Sequence, residues 1–263
     1  MFRSLTPIVK NLLLITIGIH VVASFLIPNL KDYFALYNIQ SNKFVPYQFL
    51  TYMLMHADFW HLFSNMFGLF IFGPLLEQFL GPKKLLILWL VCGIGAGVLY
   101  SGYTTFQTKR LDNEIAYFHE HPDPELFNKF VSNNRNFFRT SVYDFIDDYS
   151  RNPENDQLIQ QAKDNLIGVR NLKVDIPMVG ASGALFGVLI AFGMLFPNTQ
   201  LFLLFPPMPV KAKYLVLFYG LYTVYQLLAN NPTDNVAHFA HLSGLLIGAI
   251  LVTVWKKDRT TFY

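Results

Sequence analysis

The sequence is poor in charge. Only 14% of its 263 residues are Asp, Glu, Lys or Arg, whereas an ordinary soluble domain carries about 25%. A net charge of +3, with no basic tract, gives no reason to expect a nucleic-acid partner. The chain has a single cysteine, Cys92, which excludes an intrachain disulfide framework and reads as apolar packing. There is no His-Glu-x-x-His pattern, so neither a metal nor a cofactor is expected. No small-residue cleavage pattern ends the first apolar run, so it is expected to stay in place.

What the sequence has instead is long apolar windows. Asn11–Leu30, Phe59–Leu76, Leu85–Thr108, Ile176–Val210, Tyr214–Thr233 and Asn235–Trp255 contain no Asp, Glu, Lys or Arg. A spanning helix needs about 20 mainly apolar residues. The windows therefore predict an all-α polytopic membrane protein with six transmembrane helices, near 8–28, 60–80, 84–104, 180–197, 212–229 and 236–255. Arg3, Lys10, Lys83, Lys84, Lys211, Lys213, Lys256, Lys257 and Arg259 then fall on one face, while Lys31 and Lys43 lie in the short segments of the other. The positive-inside rule makes the basic face cytoplasmic and puts both termini there. A bacterial cytoplasmic membrane is the expected location.

Residues 105–177 do not suit a bilayer, since they hold 12 acidic and 9 basic side chains. They read as an extracytoplasmic, mostly helical insertion between two membrane halves, 1–104 and 178–263. Phe138, Val142, Phe145, Ile146 and Tyr149 recur at helical spacing, and Leu158, Ile159, Ala162 and Leu166 do so more weakly. That face packs on the insertion itself or on the loop below, lies on the outer membrane surface or helps admit substrate, or belongs to a disordered segment.

Three short segments carry candidate chemistry. Gly180-Ala181-Ser182-Gly183 opens the fourth span, where unpaired N–H groups and a positive helix end would suit an oxyanion beside the serine. Small residues also simply pack membrane helices together. His241 lies in the last span near the same outer face. An ionisable residue there is a functional candidate, although an interhelical hydrogen bond would also account for it. Gly244 and Gly248 form a small-xxx-small face that Gly183 and Gly187 can meet, which would bring Ser182 and His241 together as nucleophile and base. His61 and Asn65, four apart, share a face near the outer end of the second span and can both donate hydrogen bonds, as an oxyanion site or as a helix cap. His238 shares the face of His241 and reads as packing or as support at the outer mouth. Asp234 is too far along the chain from His241 to complete a triad.

Taken together, His61-Leu-Phe-Ser-Asn65, the LLEQFLG segment 75–81, Gly180-Ala-Ser-Gly183 and the AHLSGLLIG segment 240–248 resemble the rhomboid family of intramembrane serine proteases. The resemblance covers most of the chain outside 105–177. It implies Ser182 as nucleophile, His241 as general base, and His61, Asn65 and the Ser182 N–H as oxyanion donors. Phe186 stands where an aromatic supports the histidine ring, and Glu77 looks like a structural acid. Where the family often has a Trp-Arg pair in the first outer loop, this chain has Pro46-Tyr47-Gln48. The implied partners are transmembrane protein substrates and membrane lipid. The competing readings are a catalytically silent client-binding protein, a small transporter with the serine and histidines lining its path, and a metal-dependent membrane protease.

Overall fold

The computed structural model describes residues 5–202, 208–229 and 236–257. Residues 230–235, which include Asp234, together with Arg3, Arg259 and the Lys257 side chain, lie outside the described residues. The chain is mostly helical. Among the described residues, four helical stretches are long and apolar enough to cross a membrane: Pro7–Leu26, Phe59–Leu80, Pro82–Glu120 and His238–Lys256.

The first stretch consists of α1 (Pro7–Val21) and a π-helical turn, Val22–Leu26, that ends before Pro28. Two short helices, α2 (Leu30–Phe34) and α3 (Gln48–Thr51), belong to the loop that follows. That loop is stitched by Gln48, which is buried. Its Oε1 accepts from the N–H groups of Tyr37 (3.3 Å) and Val45 (3.2 Å), and its Nε2 donates to the carbonyls of Tyr33 (3.1 Å) and Lys43 (3.0 Å). Helix α4 (Phe59–Leu80) is capped by Asp58, whose carboxylate accepts from the His61 N–H at 2.9 Å. At the other end of α4, the buried Glu77 accepts from the N–H groups of Ile8 and Val9, both at 3.0 Å. It thereby satisfies two of the orphan donors at the start of α1.

Helix α5 (Pro82–Glu120) runs for 39 residues, well past the end expected near 104. At 1.5 Å per residue it is about 58 Å long, nearly twice the ~30 Å hydrocarbon core. The charge that ends its apolar window does not break a helix, and no proline occurs between Pro82 and Pro122. Three further helices follow, α6 (Pro124–Asn133), α7 (Val142–Arg151) and α8 (Asp156–Val174). They enclose a second apolar core with the far half of α5, built on Phe127, Phe130, Ile146, Tyr149 and Leu166. The periodic apolar positions of 138–166 all belong to this cluster or pack against it.

Helix α9 (Ser182–Leu195) is apolar but only 14 residues long, shorter than the expected 180–197, because Phe196-Pro197 leaves the helix. A two-stranded hairpin, β1 (Gln200–Phe202) and β2 (Pro209–Lys211), leads into α10 (Ala212–Ala229). Helix α11 (His238–Lys257) closes the bundle and lies along α9 and α5. It starts two residues later than expected, with Val236-Ala237 outside the helix.

Candidate active site

The stretch before Ser182 is fixed to the first loop at three levels. Asp175, just after α8, accepts from Ser41 Oγ at 2.6 Å and pairs with Lys43 Nζ at 3.2 Å. The Ser41 hydroxyl, followed by Lys43, holds the Asp175 carboxyl below its ordinary range, while Asp175 raises Lys43. Leu36 and Met178 then exchange backbone hydrogen bonds of 2.9 and 2.8 Å, and the Gly180 N–H donates to the Tyr52 carbonyl at 3.0 Å. The Tyr52 hydroxyl in turn donates to the Gly93 carbonyl at 2.7 Å, tying the loop to α5.

Gly180 is required twice over. Its φ of +116° is one that side chains rarely adopt, and a Cβ there would sit 2.6 Å from His61 Cε1 and Nε2. The His61 ring therefore lies against the backbone two residues before Ser182. His61 Nδ1 accepts from the Ala57 N–H at 3.4 Å, which leaves the proton on Nε2, the nitrogen on the Gly180 side. Asn65, one turn on and buried, donates to the His61 carbonyl at 2.9 Å. Its amide has a second N–H for another acceptor.

Ser182 is the first residue of α9, so its N–H is among those without an intrahelical partner. Its Oγ lies 2.7 Å from His241 Nε2. The depth match rests on glycines. A Cβ on Gly244 would run into the Gly183 carbonyl, and one on Gly248 would come within 2.8 Å of the Gly187 backbone. α9 and α11 are thus in backbone contact, and one turn above this contact the serine and histidine face each other. Gly187 also rests against the buried Cys92 of α5.

The His241 ring stacks on Phe186, with centroids 4.4 Å apart and planes 10° apart. Tyr219 of α10 meets the Phe186 ring edge-on at 6.4 Å. His238 sits edge-on to His241 at 5.8 Å and to Tyr222 at 6.3 Å, placing it beside the histidine rather than against the serine.

A family model described as the Rhomboid domain matches residues 43–108 and 157–257. This chain belongs to the rhomboid family. The matched segments contain His61, Asn65, Ser182 and His241, and leave 109–156 between them. Two Arabidopsis thaliana proteins are similar. "Rhomboid-like protein 11, chloroplastic" is 34% identical over 89 residues, covering 34% of this chain and 30% of that protein. "RHOMBOID-like protein 12, mitochondrial" is 25% identical over 213 residues, covering 81% of this chain and 47% of that protein. This rhomboid thus spans less than half the length of either relative. Neither name supports the expected bacterial membrane; both point to organelles.

The sequence pattern had no signal for Gln48, Tyr52 or Asp175, which hold the approach to Ser182. The nearest hint was that Gln48 stands in the region where the family often has a charged and an aromatic residue. His56 is buried beside His61, with ring centroids 5.1 Å apart, and beside His20 at 6.3 Å.

Proposed function

We propose that this rhomboid is an intramembrane serine endopeptidase acting through a Ser182–His241 dyad. The observation that carries the reading is the 2.7 Å approach of Ser182 Oγ to His241 Nε2, with the histidine ring braced by Phe186. A nucleophile and its base require such a contact, and the stacked ring plays the orienting part that an acid plays in a triad.

In the proposed reaction His241 Nε2 accepts the hydroxyl proton as Ser182 Oγ attacks a peptide carbonyl. The oxyanion takes hydrogen bonds from His61 Nε2–H, the Asn65 amide and the Ser182 N–H. Collapse breaks the C–N bond, and His241 returns the proton to the leaving amine. His241 then takes a proton from water as the water oxygen attacks the acyl-serine, the ester C–O bond breaks, and His241 returns the proton to Ser182 Oγ. No cofactor enters this scheme.

The substrate is the end of another protein's transmembrane segment, locally unwound so that its peptide bonds are accessible. Six spans (α1, α4, α5, α9, α10 and α11) would put the basic ends of the helices on the cytoplasmic side and the Ser182 end of α9 on the other. The short α9 begins below the outer surface, which lets water reach the dyad. Residues 105–177 stand on that outer side as an insertion, continuous with α5. By analogy with the family, substrate enters laterally past α4 and α10.

A fluorophosphonate probe tests the nucleophile directly. Purified wild-type protein should be labelled on Ser182, with His241→Ala and Ser182→Ala unlabelled. A folded wild-type protein that takes no label would remove the proposed nucleophile and favour a silent, client-binding rhomboid.

A further inference from the structure

Away from the dyad, α9, α10 and α11 enclose an open cleft of about 420 Å³. Its walls are apolar, from Ile190 and Met194 on α9, Leu217 and Leu221 on α10, and Leu242 and Leu245 on α11. That volume is within the range of small-ligand clefts, about 300–1,000 Å³. From Lys213 to Val224 the cleft follows α10 for about 16 Å by helical rise. Its upper end reaches Leu242, the neighbour of His241.

The lower end is cationic. Lys213 lines the cleft itself, and its backbone N–H donates to the Pro197 carbonyl just beyond α9. Lys256 Nζ donates to the carbonyl of Met194, another lining residue, at 2.9 Å. Both lysines therefore stand at the C-terminal end of α9, Lys213 on the wall of the slot and Lys256 at the backbone of the lining residue Met194. Helix α10 forms one wall while burying only Ala212, Val216 and Thr223. Gly220 leaves room between the helices, whereas Gly193 lets α9 pack closely on Val216 of α10.

We propose that this cleft is a binding site for one anionic phospholipid. An acyl chain lies between α10 and the α9–α11 pair, and the phosphate headgroup sits at Lys213 and Lys256. Basic pockets between membrane helices on the cytoplasmic side suit anionic headgroups, and an apolar slot of this length suits the chain behind one. The occupant fills the gap under α10, the helix whose Tyr219 touches Phe186, and so bears on the packing around His241. The inference rests on the membrane placement of these helices and not on proteolysis.

The test is native mass spectrometry of the full chain, released from nanodiscs of phosphatidylcholine alone or mixed with phosphatidylglycerol. Wild type should retain one phosphatidylglycerol in preference to phosphatidylcholine. Lys213→Ala and Lys256→Ala should each weaken that preference by about fivefold. Gly220→Leu should abolish retention of both lipids, since a Cβ there is only in ordinary contact, 3.5 Å from Leu245, and the rest of the side chain enters the cleft. Gly220→Ala should retain the lipid and control for folding. Equal retention of the two lipids by wild type, or undiminished retention in Gly220→Leu, would overturn the proposal. Neither result depends on whether the protein cleaves anything.

Discussion

The Phe186 ring lies parallel to the His241 imidazole at 4.4 Å, one helical turn after the serine to which that imidazole is hydrogen-bonded. Ser182 and Phe186 therefore come from the same face of one helix, and the His241 ring is held between them. An aromatic contact of this kind contributes about 0.5–1.5 kcal/mol. Phe186→Ala should lower the cleavage rate about three- to tenfold with little change in KM. Phe186→Tyr, which keeps the ring, should retain most of the rate. A Phe186→Ala enzyme as fast as wild type would show that the stacking does not position the base.

Backbone contact between α9 and α11 makes Gly244 intolerant of any side chain. Gly244→Ala places a Cβ inside the Gly183 carbonyl, so the helices must separate. Overpacking costs about 1–3 kcal/mol, and separation also pulls Ser182 from His241. The thermal midpoint in detergent should fall and activity should be lost with it. Gly18→Ala meets nothing within 4 Å and should leave both unchanged.

This part of the site was legible in the sequence because its information is local. Glycines four apart on α11 and on α9 specify a contact, and that contact fixes the relative depth of Ser182 and His241. The length of α5 was not legible in the same way. Hydropathy reports where lipid ends, not where a helix ends, and Lys109 or Arg110 stops the first without disturbing the second. The loop that carries Gln48 was opaque for a different reason. A lone glutamine between Tyr47 and Phe49 has no periodicity, yet its side chain closes four hydrogen bonds that only the folded loop brings together. Asp175 likewise finds Ser41 and Lys43 across more than 130 residues of chain, a pairing no window can see.

His61 is expected to act on the oxyanion rather than on substrate binding. Its Nδ1 accepts from the Ala57 N–H, so Nε2 carries the donor proton. Loss of one such donor costs about 10²–10³ in rate. His61→Ala should therefore lower kcat by about two orders of magnitude at nearly constant KM. A change confined to KM would place His61 in binding alone.

His56 gives the fold a pH dependence on the acid side. Burial, reinforced by His61 and His20, lowers it to about 3 from the ordinary 6.5. The fold accommodates the neutral ring, so protons bind preferentially to the unfolded chain. The stability is complete above pH 6.5 and declines as pH falls toward 3, by about 1.4 kcal/mol per unit. Unfolding measured at pH 7.5 and pH 5 should show this loss in wild type and a shallower one in His56→Gln. Equal slopes would contradict the assignment.

Ser182 and His241 are proposed to act together in cleaving a membrane-embedded peptide. The most direct measurement is the cleavage rate of a transmembrane reporter by purified wild type, Ser182→Ala and His241→Ala in the same bilayer. Cleavage by wild type and none above background by either variant is expected, with all three equally folded. Undiminished cleavage by either variant, or a folded wild type that leaves every transmembrane reporter intact, would contradict it.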